Sequence, residues 1–276
     1  MTYQNEIKEW LSEFKMTHFK GLGNGIWKRN KKQYSHILPV NNLFDNFLPQ
    51  YKAELTDYIQ KNKKIKLHQD FHHLNSSQAM CLNMFYPLIK EKKLDLLVKA
   101  LKLDSDSIDY DSVCFEKKSI IEKGYRPTSF DFYFRTNNGK EIYFEIKYTE
   151  QEFGNAKRDQ EHFDKYESVY KKHCSAIDSK YCNCVNFLDN YQLMRNVIHI
   201  SKNSYVVFIF PENNKKIKQK AEFAKSVLVK SDFQQNVINL TWEHLLGYID
   251  SIKLDSDKLT TQMTDFKDKY KIKPSR

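Results

Sequence analysis

Two carboxylates and a lysine carry the most chemistry in this chain. Asp131 lies in Ser129-Phe130-Asp131-Phe132-Tyr133-Phe134-Arg135, and Glu145 and Lys147 lie in Glu141-Ile142-Tyr143-Phe144-Glu145-Ile146-Lys147-Tyr148. A pair of carboxylates suits a hard divalent cation such as Mg²⁺, which binds through one or two of them, keeps several waters and leaves room for a phosphate oxygen. An ammonium beside such a pair can orient or help deprotonate a water and can stabilise charge developing on a phosphate. These residue types together point to hydrolysis at phosphorus, provided that the fold brings them together.

The sequence supplies a way to do so. Both segments are rich in aromatic and β-branched residues, and Thr136-Asn137-Asn138-Gly139-Lys140 between them carries the Asn and Gly of a tight reversal. A three-residue loop centred on Asn138 pairs Phe130 with Ile146, Phe132 with Phe144, Phe134 with Ile142, and Asp131 with Glu145. The apolar pairs then share one face. The other is expected to be the polar face of a half-buried sheet, carrying Ser129, Asp131, Tyr133, Arg135, Glu141, Tyr143, Glu145 and Lys147. Opposed carboxylates with Cβ atoms roughly 4.5–5.5 Å apart repel, and a bound cation would relieve that.

Asp131 followed by Glu145-Ile146-Lys147 on a hairpin resembles the catalytic core of the PD-(D/E)XK nuclease superfamily. Ser76-Ser77-Gln78-Ala79-Met80 before one helix and Tyr191-Gln192-Leu193-Met194-Arg195 on a later one resemble its restriction-endonuclease-like branch. The resemblance spans about residues 20–245. It departs at the name-giving proline: Phe130 precedes Asp131, and the nearest proline is Pro127. It implies an α/β restriction-endonuclease-like core, a mixed central sheet flanked by helices, with extra N-terminal helices. It also implies Mg²⁺-dependent hydrolysis of DNA phosphodiesters, with Mn²⁺ able to substitute. Asp131, Glu145 and the backbone carbonyl of Ile146 would be the metal ligands, Lys147 the catalytic lysine, and Gln192, Arg195 and Gln78 supporting polar residues. Gln192 and Arg195 are three apart, so on a helix they share a face; a buried polar tie between helix and sheet is the competing reading. A catalytically silent nucleic-acid-binding protein on the same fold, an exonuclease and an RNA-cleaving version remain open. So does a homodimer, since one site cuts one strand.

Composition agrees with a polyanionic partner. The 276 residues hold 45 Lys+Arg against 35 Asp+Glu, a formal charge of +10, which favours DNA through steering and counterion release. Lys28, Arg29, Lys31 and Lys32 follow the glycines at 21, 23 and 25 and form a candidate loop on the DNA backbone. No strand precedes those glycines and no G-K-[ST] follows, which speaks against nucleotide binding. No long apolar run or secretory h-region occurs, so a cytoplasmic protein without a membrane partner is expected. Cys174, Cys182 and Cys184 lack the paired C-x₂-C of a zinc site and are expected to be buried thiols. His68, His72 and His73 lack an evident further ligand.

Periodicity and breakers divide the rest. Helices are expected over about 3–16, 50–66, 78–89 (with an N-cap in 75–77), 156–172, 185–200, 215–229 and 242–252, followed by a frayed charged helix. Strands are expected over 112–116, 205–210 and 236–241. Glu116 would lie near the metal. Gln160, Lys165 and Tyr166 are candidates to face substrate, though a plain solvated helix is the stronger reading. The anticipated division is an extension at 1–75 packed on the core, a nuclease core at 76–245 and a helical tail at 246–276.

Overall fold

A computed structural model describes residues 2–103, 107–122 and 127–275. Contacts group the chain into two compact units, residues 1–105 with 241–276, and residues 106–240. This grouping places the helix at Ser77–Lys90 with the first unit rather than with the central sheet.

The first unit contains a small hairpin, β1 (Gly25–Trp27) and β2 (Lys32–Tyr34), and helices α1 (Tyr3–His18), α2 (Lys52–Lys61), α3 (Ser77–Lys90) and α4 (Asp95–Ala100). The helix α3 starts where expected: the Ser76 side chain accepts from the Ala79 N–H, and Ala79 to Leu88 are all buried. Helices α9 (Trp242–Asp250) and α10 (Asp257–Tyr270) complete the unit. The latter is not the frayed helix expected from its charges. Leu259, Met263, Phe266 and Tyr270 form a buried stripe at helical spacing, with Trp242 and Phe266 rings 5.4 Å apart. Lys269 is buried with them and donates to the Asn46 side chain at 2.7 Å; burial pushes its pKa down to about 7.

The second unit is built on β3 (Ile108–Lys118), β4 (Ser129–Thr136), β5 (Glu141–Ile146) and β6 (Ser204–Phe210), with β7 (Val237–Thr241) completing a five-stranded sheet in the order β3-β4-β5-β6-β7. The turn forms as its residues dictate. Gly139 takes φ +85° and donates to the Thr136 carbonyl, and Thr136 in turn bonds Lys140. The register is as expected where the strands pair, Phe132 opposite Phe144 and Phe134 opposite Ile142, but the pairing stops there and does not extend to the expected pairs Phe130–Ile146 and Asp131–Glu145. β6 lies parallel to β5, which makes the sheet mixed, and its apolar run is buried on both faces.

The second face of the hairpin differs from the polar face expected. Tyr133 and Tyr143 are buried in a cluster with Phe187, Leu193, Met194 and Val197, beneath short helices. Those helices are α5 (Gln160–Lys165), continued by a π turn at Tyr166–Tyr170, then α6 (Cys184–Asp189) and α7 (Tyr191–Val197). Two helices with a break at Asn190 thus replace the single helix expected over 185–200, and α8 (Lys215–Phe223) follows β6. Of Gln160, Lys165 and Tyr166, the first is exposed and donates to Asp164, whereas the other two are buried, Lys165 against Glu122.

Phe130 departs from its expected face as well. Its ring lies 4.7 Å from Tyr143 and 4.9 Å from His199, on the helix-covered side rather than with Phe132. Strand alternation is interrupted at Asp131, and on the neighbouring strand at Glu116, which has φ +55°. Among the described residues no helix is long and apolar enough to cross a membrane.

Candidate active site

The interruption at Asp131 is what presents its carboxylate. The Cα pairing of β4 with β5 runs as far as Phe132 and Phe144. Beyond it the next N–H of β5, at Ile146, is taken by the Asp131 side chain at 2.6 Å. The register on β3, Phe115 opposite Phe132 and Lys117 opposite Phe130, sets Glu116 at the level of Asp131, and the Ser129 hydroxyl donates to Glu116 at 2.6 Å.

Glu145 and Lys147 are both buried, with 2.9 Å between Lys147 Nζ and Glu145 Oε1. Helix α7 answers the rest of the Glu145 carboxylate. Gln192 Nε2 donates to Glu145 Oε1 at 2.6 Å, and Asn196 Nδ2 donates to Glu145 Oε2 at 3.3 Å. Residues four apart on a helix share a face, so one short helix delivers one amide to each oxygen. Gln192 Oε1 accepts in turn from Lys147 Nζ at 3.2 Å and from the Gly154 N–H at 3.1 Å. Asn196 is a site residue that the sequence motifs miss; its spacing from Gln192 is the available signal.

The electrostatics follow from this packing. Burial pushes the Asp131 carboxyl well above the usual carboxylate range, and the charges of Glu145 and Glu116 push it further. Burial alone would lower the Lys147 ammonium, but Glu145 and Glu150 more than offset it and hold its pKa above the ordinary lysine value. Lys147 is therefore a charged donor near neutral pH rather than a ready base. The excess of carboxylate over ammonium at Asp131, Glu145 and Glu116 fits a divalent cation, and a hard one by its oxygen donors. Among the described residues no group of three or more His, Cys, Asp or Glu side chains is arranged to hold a metal ion. That excludes an all-side-chain cage of that kind; Mg²⁺ commonly binds through one or two carboxylates plus water.

Of the other sequence candidates, Arg195 and Gln78 have partners of their own. Arg195 faces away from Glu145 to Glu122, with Nε 2.9 Å and Nη2 2.7 Å from Glu122 Oε1. Glu122 is buried and also accepts from Tyr170 at 2.6 Å, Lys165 at 3.2 Å and the Thr128 N–H at 2.5 Å. Burial would raise its pKa, but these donors hold it down at about 2. The buried tie is thus the geometry found for Arg195, and it fastens α7 to Glu122 beside the two amides that serve Glu145. Gln78 lies in the first unit, where its amide accepts from the His68 N–H and donates to the Lys66 carbonyl. Lys28, Arg29, Lys31 and Lys32 are exposed at the β1–β2 hairpin. His72 Nε2 is 3.3 Å from the Ile26 carbonyl, and the five cysteines are free thiols.

His199, one turn after Arg195, gives a pH prediction. Its Nδ1–H donates to the Arg195 carbonyl at 3.0 Å, which leaves Nε2 to accept from Ser119 at 2.8 Å, so the neutral ring is the one that fits. Burial lowers its pKa to about 4. The unfolded chain takes up a proton near pH 6.5 that the folded chain refuses, so this residue has no effect above about pH 7 and destabilises progressively as pH falls towards 4, by about 3 kcal/mol. Urea unfolding at pH 7 and pH 4.5 should show that loss, and His199→Gln should reduce the difference between the two.

Similarity to known proteins extends over nearly the whole chain. A model of the family described as REase-ARP, restriction endonuclease associating with ARP, matches residues 8–271. No curated protein and no solved structure matches the chain.

Proposed function

We propose that this chain, which belongs to the family of restriction endonucleases associating with ARP, is a metal-dependent DNA endonuclease of PD-(D/E)XK type whose site is Asp131, Glu145 and Lys147. The observation that carries the reading is the buried contact of Lys147 with Glu145, beside an Asp131 carboxyl that accepts from the Ile146 N–H and whose pKa is raised by burial and by Glu145 and Glu116. Asp131 and Glu145, with the Ile146 carbonyl, would hold Mg²⁺. Bound there, the ion would neutralise charge on the phosphodiester as it is hydrolysed.

The chain's own residues do the rest. Lys147 donates from its ammonium to the attacking water or to a phosphate oxygen, where negative charge grows as phosphorus becomes crowded. Gln192 orients Lys147 and Glu145 through one amide, and Asn196 fixes the second Glu145 oxygen. Water attacks phosphorus in line, the bond to the leaving oxygen breaks, and the products are a phosphate monoester and a free hydroxyl. Glu122 and Arg195 act through α7 as positioning residues.

Supercoiled plasmid incubated with the protein and Mg²⁺ should convert to nicked or linear circles, and EDTA should stop it. Absence of cutting on plasmid, on single-stranded DNA and on RNA with either Mg²⁺ or Mn²⁺ would leave a binding protein as the reading. A product that shortens progressively from linear ends, with closed circles untouched, would make it an exonuclease.

A further inference from the structure

Residues 14–44 contain Lys15, Lys20, Lys28, Arg29, Lys31 and Lys32 and no Asp or Glu. In a chain with 35 acidic residues among 276, so long an interval without one concentrates positive charge. Its centre is the β1–β2 hairpin, in which Trp27 pairs with Lys32 across the turn formed by residues 28–31.

The hairpin is held firmly below its tip. The Trp27 ring packs edge-on against Tyr34 at 6.0 Å and His73 at 6.3 Å, and the Gly25 N–H bonds the Ile37 carbonyl at 2.9 Å. A Cβ at Gly25 would lie 2.0 Å from the Leu38 carbonyl oxygen, so the base of the ribbon admits no other residue without a shift. Buried Lys15 donates to the carbonyls of Gly23 and Ile37 and to the Asn24 side chain, all within 3.0 Å. One cation of the interval is thus engaged in fixing the loop beneath the ribbon.

The tip is different. Lys28, Arg29, Lys31 and Lys32 are all exposed, and none takes part in a salt bridge with a described residue. Lys31 adopts φ +58°, a conformation that favours Gly or Asn, yet a charged side chain stands there. Asn30 stabilises the turn from within by accepting from the Lys32 N–H at 3.1 Å and donating to the Tyr34 hydroxyl at 2.7 Å. A pre-ordered ribbon that presents unanswered cations loses little conformational entropy on meeting a polyanion, and a two-stranded β-ribbon is narrow enough for a DNA groove.

We propose that the β1–β2 hairpin is a docking element for the sugar-phosphate backbone of duplex DNA, making contacts through Lys28, Arg29, Lys31 and Lys32 that are independent of base sequence and of the Asp131–Glu145–Lys147 site. The proposal rests on the nuclease reading only for its choice of DNA over other polyanions.

Binding of a short fluorescein-labelled duplex, measured by anisotropy in EDTA over a series of salt concentrations, tests it. The Lys28→Ala/Arg29→Ala/Lys31→Ala/Lys32→Ala protein should bind at least tenfold more weakly at 0.1 M salt, and its log–log salt slope should be shallower by about 3 to 4, near 0.9 for each phosphate no longer neutralised. Circular dichroism and melting temperature should match the wild type, because the four side chains are exposed. Wild-type and quadruple-variant slopes that coincide would overturn the proposal, as would a wild-type chain that binds duplex RNA or an acidic polypeptide but not duplex DNA. The nuclease reading fails separately: a wild-type protein that binds DNA through the hairpin but cuts nothing with Mg²⁺ or Mn²⁺ sustains this proposal and refutes the other. A wild-type protein that cuts, with an unchanged quadruple variant, does the reverse.

Discussion

Lys147→Ala should cut DNA at least 10²- to 10³-fold more slowly than the wild type while binding duplex in EDTA with the same affinity. The magnitude is that of removing one preorganised donor from the position where charge grows in the transition state. The ammonium is buried, touches Glu145 at 2.9 Å and Gln192 at 3.2 Å, and is kept charged by its carboxylate neighbours. Lys147→Arg should not restore the rate, since a planar guanidinium cannot take the place of a compact ammonium between Glu145 and Gln192. A second readout distinguishes this role from a structural one. Without Lys147 the carboxylates at 131 and 145 lose their nearest positive charge, so Mg²⁺ should raise the melting temperature of the variant by more than it raises that of the wild type. Equal cleavage by the two proteins would remove Lys147 from the mechanism, and an equal thermal response would show that it does not share the carboxylates with the ion.

Glu122→Gln should cost about 3 to 5 kcal/mol of folding free energy, the range for removing one partner of a buried ion pair and stranding the other. Two cations are stranded here, Lys165 and Arg195, and the Tyr170 hydroxyl and Thr128 N–H lose a charged acceptor. Guanidinium unfolding at pH 7 measures the cost. The pH dependence has a definite sign. The folded-state pKa of about 2 lies below the unfolded value near 4.5, so the stabilisation is complete above pH 5 and is lost as pH falls through 4.5 towards 2. The variant should therefore approach the wild type in stability at low pH. Because Arg195 shares α7 with Gln192 and Asn196, the variant should also lose kcat more than it weakens DNA binding. A difference below about 0.5 kcal/mol at pH 7 would make the cluster energetically neutral, as some buried ion pairs are.

The hairpin and its register are legible in the sequence because their determinants are local. Alternation along two short segments and an Asn-Asn-Gly reversal need no information from elsewhere in the chain, and they give the pairing from Phe132 with Phe144 to Arg135 with Glu141, though not the break in alternation at Asp131. The covering of the second face is not legible. Tyr133 and Tyr143 count as polar in a strand pattern, yet each buries a ring and keeps only its hydroxyl for polar contacts. Glu122 and Asn196 escape for another reason. Their partners lie 48 and 51 residues away, at Tyr170 and Glu145, so the contacts leave no local pattern, and for Asn196 only its place one turn after Gln192 is legible. Spacing puts Arg195 beside Gln192 on a helix, as found, but suggests the wrong neighbour for it, since a shared face is about 100° wide and the two side chains diverge across it. Lys269 reads as one charge among many until Asn46, 223 residues earlier, supplies its acceptor.

The interruption of the first unit by residues 106–240 orders events during synthesis. Trp10 donates to the carbonyls of Asp268 and Lys269, and Asn83 donates to the Tyr270 hydroxyl, so α1 and α3 are made early but completed only by α10. On the ribosome the sheet-bearing segment has all its strands by residue 241 and can collapse on itself, whereas the earlier helices must wait with exposed apolar faces. The chain is expected to mature from its middle outward, with its nascent N-terminal helices as the stretch most in need of chaperone protection.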